Sequence, residues 1–543
     1  MTASWKAVVL CACAGVVGCS DSESEALPAS IDYPSPSSLT SPAGRGGFRF
    51  GAASAAAQIE DGNTETDWYV FTQPKADGGL GMGTDFVGEA SRGYSKALED
   101  IELMTALGLD SYRFSLSWAR IEPERDTIDE SALQHYSDFI DALIAAGIRP
   151  MITIHHFSNP TWIFDPRDTE CATGPSDTNL CGFGHPEGGP QIAEEMGEFA
   201  TLLAERFGDR VDEWATVNEP VNYLLASYGA GQFPPGLMSI FSPLEKFVPV
   251  ARGYLLGHAA MYKAVKAADT QDADGDGSAA DVGLTLSVAD WIPARNNEIS
   301  DHPDDVRARD NLVYLFHYLF VDAIRSGKFD ADFDGSLEED RPEIKGTIDW
   351  LGVQYYFRGG VTGNKPLIPV VNLTPCYGGF DFGACLPPKH ISSCVPTMKY
   401  EYDPPGIYKV LSDFSTRWPD LPMVVSESGI ATEVGARRAE NVVRALEQIE
   451  RARAEDVDVR GYYHWSLYDN FEWAEGYHPR FGLYHVNYDG DFERTATEGA
   501  KVLSEITLSR KLSGAQRGQY GGTGPMTPEP YPDNPDITFC NGN

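Results

Sequence analysis

Eight short apolar segments alternate with amphipathic stretches along this chain. That alternation restricts the architecture more than any other feature. The strand-like segments are Phe48–Ser54, Ser111–Trp118, Pro150–His156, Glu213–Pro220, Val282–Val288, Asp349–Tyr356, Met423–Gly429 and Val459–Leu467. Between them lie helical patterns at Ser95–Leu107, Glu130–Ala146, Ile192–Phe207, Arg252–Ala268, Asn311–Ser326, Gly406–Arg417 and Ala436–Ala454. Strands that alternate with helices imply βαβ units and a parallel sheet. Eight such units close as a (β/α)8 barrel, an α/β fold in which functional residues sit at the C-terminal ends of the strands. A chain of 543 residues is compatible with one such domain, because barrels exceed the usual length per domain.

The placement of polar residues agrees with a barrel. Arg113, His156, Asn218, Glu219, Tyr356, Glu427 and Trp465 all fall within these segments or at their ends. Polar groups buried there would be costly unless a polar cavity used them.

The two chain ends read differently. Lys6 is followed by an apolar run from Ala7 to Gly18, too short to span a membrane. Val16-Val17-Gly18-Cys19 then has the pattern of an exported lipoprotein, with a signal peptide over 1–18 and acylation at Cys19. Residues 19–46 are acidic and rich in Ser and Pro, with too little apolar content to fold, and are expected to be a tether. The expected place is therefore the periplasmic or cell-surface side of a bacterial membrane, held by a lipid anchor. The barrel is assigned to 47–511. The Gly/Pro-rich tail over 512–543 is expected to wrap the surface irregularly.

Six cysteines follow Cys19, at 171, 181, 376, 385, 394 and 540. An even number in an exported chain reads as disulfides, with 15 possible pairings. Cys171 with Cys181 is the simplest, since both lie in one Gly/Asp-rich loop. Zinc is disfavoured because no tight Cys-x-x-Cys spacing exists. The formal net charge of −38 opposes nucleic-acid binding, which needs a basic footprint.

Two acidic stretches, Asp272 to Gly277 and Asp330 to Gly335, begin like EF-hand loops. The twelfth position holds Gly283 or Arg341 instead of the bidentate Glu. Two solvated turns are the preferred reading and structural calcium the alternative. Both stretches lie between a helix and the next strand, hence at the barrel end opposite the strand C-termini.

Two glutamates stand out, in Thr216-Val217-Asn218-Glu219-Pro220 and Val424-Val425-Ser426-Glu427-Ser428-Gly429. Breaking a glycosidic bond needs two facing carboxyl groups, one protonated as acid and one ionised as nucleophile or base. No other carboxylate pair in the chain is flanked so distinctively.

At these residues the chain resembles glycoside hydrolase family 1, the retaining β-glycosidases, over about 48–505. Four motifs carry the resemblance, in order: Phe48 to Gln58, Tyr112 to Trp118, Thr216 to Pro220, and Trp465-Ser466-Leu467-Tyr468-Asp469-Asn470-Phe471-Glu472-Trp473. There are departures. The family's usual Glu-Asn-Gly is Glu427-Ser428-Gly429, its Asn-Tyr-Tyr is Gln354-Tyr355-Tyr356, and the Trp that often follows the sugar-binding His is Phe157.

The resemblance implies a β-glucosidase-type enzyme working by double displacement on terminal β-glycosyl residues, without metal or organic cofactor. Its substrate would be a β-linked oligosaccharide or an aryl or alkyl β-glycoside. Glu219 would be the acid/base and Glu427 the nucleophile, held ionised by Arg113 and Tyr356. Asn218 would donate to the sugar 2-OH. Gln58, His156, Glu472 and Trp473 would bind sugar hydroxyls, Trp465 would form the floor, and Phe481 would pack near the hydroxymethyl group. Strand alternation lets only one of His155 and His156 face the barrel mouth, and the family pattern selects His156. A carboxylate at Glu472 would also repel a 6-phosphate. The long segments 157–191 and 357–405, which carry five of the six cysteines, are expected to shape the leaving-group side. The rival readings are a transglycosidase and a catalytically idle sugar-binding lipoprotein on the same fold.

Overall fold

The computed structural model describes residues 27–168, 171–239, 242–368, 370–376 and 381–529. Eight parallel strands close on themselves. They are β1 (Arg49–Ala53), β2 (Ser111–Ser115), β3 (Arg149–His155), β4 (Glu213–Asn218), β5 (Asp281–Arg295), β6 (Trp350–Thr362), β7 (Met423–Ser428) and β8 (Val459–Trp465). Each pairs with the next. β8 returns to β1, with Gly461 opposite Arg49 and Trp465 opposite Ala53. All eight expected strands are present, so the chain is a (β/α)8 barrel.

Local chemistry sets the strand ends. β2 stops short of Trp118 because Ser117 caps a helical turn, accepting from the Arg120 N–H. β4 stops at Asn218 because Pro220 starts another turn, Pro220–Leu224. β5 and β6 run well past their expected ends. They remain paired from Phe357 opposite Ala289 to Val361 opposite Pro293, after a register shift at Tyr355/Phe357. This ribbon stands above the barrel, where periodicity alone marks no boundary.

The outer helices are α1 (Ala97–Leu107), α2 (Glu130–Ala145), α3 (Gly188–Phe207), α4 (Val248–Ala268), α5 (Pro303–Val313), α6 (Leu319–Ser326), α7 (Pro405–Arg417), α8 (Gly435–Ala454) and α9 (Glu498–Ser509). The stretch read as Asn311–Ser326 is the end of α5, one π-helical turn over Tyr314–Tyr318, and α6. α2 begins where the Asp129 carboxylate accepts from the Ser131 and Ala132 N–H groups. α8 turns Val442, Val443, Leu446 and Ile449 inward, at the i, i+4, i+7 spacing of one helix face.

The interior is filled in layers. Gly51 lies against the Tyr463 ring, where an added Cβ would come within 2.3 Å of a ring carbon. Only glycine leaves room for that tyrosine inside the barrel. Near the N-terminal ends of the strands, Arg49 and Glu213 form a buried ion pair, and Arg149 also reaches Glu213 at 3.2 Å.

The tether reading over 19–46 does not hold for its described second half. Ile31–Asp32 pairs with Lys511–Leu512, and Tyr33 is buried. Leu39 is fully buried against Met151, Ala215, Trp350, Val424 and Tyr463, side chains of five barrel strands. The segment has few apolar residues, and Leu27 stays exposed, but Tyr33 and Leu39 are buried, Leu39 at the open base of the barrel. Low average hydrophobicity hid that specific plug. The tail is likewise more regular than expected. Gly514–Tyr520 is a helix with a Ser513/Gln516 capping box, and Arg444 holds the Gly524 and Pro525 carbonyls.

Cys171 is bonded to Cys181, and Cys376 to Cys385. Cys394 is also disulfide-bonded. The signal segment with Cys19, and Cys540, lie outside the described residues. Among the described residues no helix is long and apolar enough to cross a membrane.

The acidic loops gather carboxylates that the twelve-residue spacing did not anticipate. Glu338 joins Asp330, Asp332 and Asp334, and Asp212 joins Asp272 and Asp274.

The plug makes a prediction. Leu39→Ala should destabilise the protein by about 2–4 kcal/mol, as for other buried Leu truncations, measured by denaturant unfolding. An unchanged midpoint would return the segment to a free tether.

Candidate active site

The C-terminal ends of the strands bring the expected residues together. Arg113 rises from β2, Asn218 and Glu219 end β4, Gln354 and Tyr356 lie on β6, and Glu427 lies on β7. All but Tyr356 are buried.

Glu427 is held at both oxygens. Its Oε1 accepts from Arg113 Nη1 at 2.5 Å and from Gln354 Nε2 at 2.7 Å, while Oε2 accepts from the Tyr356 hydroxyl at 2.6 Å. Burial pushes its carboxyl above the usual range, and the Arg113 charge, then the Tyr356 and Arg113 hydrogen bonds, pull it back. The two partners expected from sequence are therefore both in place. Gln354, noted in the sequence only as a departure, is a third.

Glu219 has no such cation in contact. Burial, and then the charge of Glu427, push its carboxyl up to about 8. Asn222 Nδ2 donates to its Oε2 at 2.7 Å, and this bond, the Arg113 charge and a Ser287 hydrogen bond oppose the rise. Asn222 escaped the sequence reading. The clue available was its position three residues after Glu219, in the first turn of the helix that Pro220 opens. Glu219 sits at φ 40° and ψ 61°, in the left-handed region. Such backbone costs roughly 1–2 kcal/mol for a residue with a Cβ and is a marker of functional sites. Phe157 (φ 60°) and Trp473 (φ 49°), around the same mouth, share it.

Asn218 Oδ1 accepts three bonds, from Arg113 Nη2 at 2.6 Å, Thr285 Oγ1 at 2.8 Å and Gln354 Nε2 at 2.8 Å. Three donors on one oxygen settle the amide orientation, so its NH2 is the end left to donate outward.

The remaining residues line one aromatic wall. His156 lies 6.0 Å from the Trp465 ring and 5.9 Å from that of Trp473. Its Nδ1 has no protein partner, and burial followed by the Arg113 charge holds the ring neutral. His155 instead bonds Asn159 at 3.0 Å and the Tyr254 hydroxyl at 2.8 Å, so it is satisfied in packing. Phe157, where the family often has Trp, stacks on Tyr223 at 5.5 Å. Phe481 packs edge-on to Tyr356 at 5.9 Å.

Gln58 Nε2 donates to the Phe471 carbonyl at 2.8 Å, and its Oε1 has no protein partner. Glu472 is pushed up to about 8, by burial first and by Glu427 second. Exclusion of a 6-phosphate, expected from a carboxylate at Glu472, needs its full charge. A carboxyl titrating near 8 carries that charge only in part at neutral pH, which weakens the exclusion.

A buried acid pair with unequal partners, an oriented amide and an aromatic wall with unpaired polar atoms form a site for a polyhydroxylated ligand and acid/base chemistry. Residues 43–512 match the model of glycosyl hydrolase family 1. A beta-galactosidase from Pyrococcus woesei is 30% identical over 86% of this chain and 97% of its own. A coniferin beta-glucosidase from Pinus contorta is 30% identical over 82% of this chain and 88% of its own. The structure is similar to that of a beta-glucosidase from Thermotoga maritima in complex with glucoimidazole, with TM-score 0.70 and 27% identity, over 85% of this chain and 98% of the other. The chain belongs to glycosyl hydrolase family 1 and is a retaining β-glycosidase of β-glucosidase type.

Proposed function

We propose that Glu427 is the nucleophile and Glu219 the acid/base. Glu427 attacks the anomeric carbon as Glu219 protonates the departing oxygen, giving a covalent glycosyl-enzyme. Glu219, now ionised, takes a proton from water, which attacks the same carbon and frees Glu427. The observation that carries these roles is the unequal distribution of partners. Arg113 ion-pairs with Glu427, while Glu219 keeps its proton up to about pH 8. Each step uses side chains of this chain alone, so no cofactor is proposed.

The glycone would be read by Gln58, His156, Asn218, Glu472 and Trp473, over Trp465 and beside Phe481. Support comes from the unpaired Gln58 Oε1 and His156 Nδ1, which a sugar hydroxyl would satisfy. A terminal β-glucosyl unit on an oligosaccharide, aryl or alkyl aglycone is the proposed substrate.

Anchoring through Cys19 on the exported side of the membrane is proposed from the n-region, apolar run and cysteine at the chain start. The disulfides suit such an oxidising location.

Glu427→Gly should abolish hydrolysis of an aryl β-glucoside, and azide should restore turnover with an α-glycosyl azide as product. A β-azide, or no rescue with the fold intact, would remove Glu427 from the nucleophile role. The Asn222 bond favours the ionised form of Glu219, so Asn222→Ala should move the basic limb of the kcat/KM profile upward from about pH 8. A limb that stays put would mean another group sets it. Cys19→Ala should abolish incorporation of labelled palmitate into the protein with unchanged specific activity, and continued labelling would exclude lipid anchoring at that residue.

A further inference from the structure

We propose that Gln354 is a positioning residue that couples the nucleophile to the contact with the sugar 2-OH, by holding Glu427 and Asn218 with a single amide nitrogen. The inference rests on the roles proposed above for those two residues.

Gln354 is fully buried, and its Nε2 donates to Glu427 Oε1 at 2.7 Å and to Asn218 Oδ1 at 2.8 Å. An amide NH2 has two hydrogens, and these two acceptors account for both. Gln354 Oε1 has no protein partner, so nothing on the other side of the amide competes for its orientation. Flipping the amide would turn a carbonyl oxygen toward two acceptor oxygens. The orientation is thus dictated by the two residues it serves.

The backbone brings Gln354 level with them. The β6–β7 register shifts between Val353 and Gln354, so Val353 opposes Val425 but Gln354 opposes Glu427. On its other side Gln354 pairs with Ser287 of β5. The side chain spans from the nucleophile strand to the end of β4. Asparagine, the family's usual residue at this position, is one methylene shorter and would reach less far from the same backbone position.

Two effects follow. A donor on Glu427 Oε1 favours the ionised carboxylate. The other groups facing Glu427 are Arg113 from β2 and Tyr356 from β6, which act in the same direction, and the acids Glu219 from β4 and Glu472 beyond β8, which oppose it. The second hydrogen bond, with those from Arg113 and Thr285, fixes Asn218 so that its NH2 faces the substrate.

The test uses Gln354→Met, which keeps the length and removes both donors, and Gln354→Asn, which keeps the amide but shortens it. The kcat/KM profile of each is measured with an aryl β-glucoside and with its 2-deoxy counterpart, beside a thermal melt. For Gln354→Met, kcat/KM on the glucoside should fall on the order of 10- to 100-fold, the scale of a hydrogen bond to a charged group. The acidic limb should move up by about one pH unit, and the penalty for the missing 2-OH should shrink. Gln354→Asn should show the same changes to a smaller degree, and it supplies the reading if the Met variant does not fold. A rate loss with the acidic limb in place, or a moved limb with an undiminished 2-deoxy penalty, would overturn the coupling. Azide rescue of Glu427→Gly is judged separately. Its success beside unmoved Gln354 profiles would sink this inference alone, and its failure would sink the nucleophile assignment instead.

Discussion

The chemistry of this protein depends on one buried ion pair, Arg113 with Glu427. The Glu427 charge raises two further carboxyl groups there, Glu219 and Glu472. Charges in such surroundings interact far more strongly than in water. Arg113 contacts Glu427 and Asn218, and the other two acids are lifted to about 8 by burial and by Glu427 itself. A glutamate that keeps its proton at neutral pH is what a leaving oxygen needs. The proton on Glu219 thus follows from its burial first and from the neighbouring Glu427 charge second, with the Arg113 charge acting against it. The pair titrates as a unit, so a change at either carboxyl is felt at the other.

Positioning of these groups relies on the barrel's rigidity. Glu219, Phe157 and Trp473 all hold left-handed backbone at the mouth. Such strain persists only when surrounding structure over-determines it. Here Pro220 begins a helical turn directly after Glu219, and the Glu219 N–H donates to the Thr285 carbonyl at 2.9 Å. The neighbouring strand therefore fixes the acid's backbone on one side and a proline fixes it on the other.

Most of this was legible in the sequence because the site residues lie in or at the ends of strand-like segments and within motifs that resemble family 1. Arg113, Asn218, Glu219, Tyr356 and Glu427 could be placed by that rule, and the structure brings them together. The rule marks single positions and is blind to side-chain reach. It therefore gave no role to Gln354, whose contacts follow a register shift, and passed over Asn222, which lies in the helical turn after Glu219. It also missed the N-terminal plug. Periodicity averages over a window, and Leu39 is a lone apolar residue among Ser and Pro whose pocket is built by five distant strands. The same averaging hid the extensions of β5 and β6, which pair with each other beyond the barrel.

The two ends of the barrel show how one scaffold supports opposite electrostatic tasks. At the base, Glu213 is flanked by both Arg49 and Arg149, and Arg149 also reaches Asp274. The plug carrying Leu39 lies beside them and closes that layer. At the mouth a single guanidinium serves the nucleophile while two further acids lie within its field. Leaving those acids without a cation of their own is destabilising, because a buried carboxyl is penalised when it ionises. It is also what makes protons available at that end.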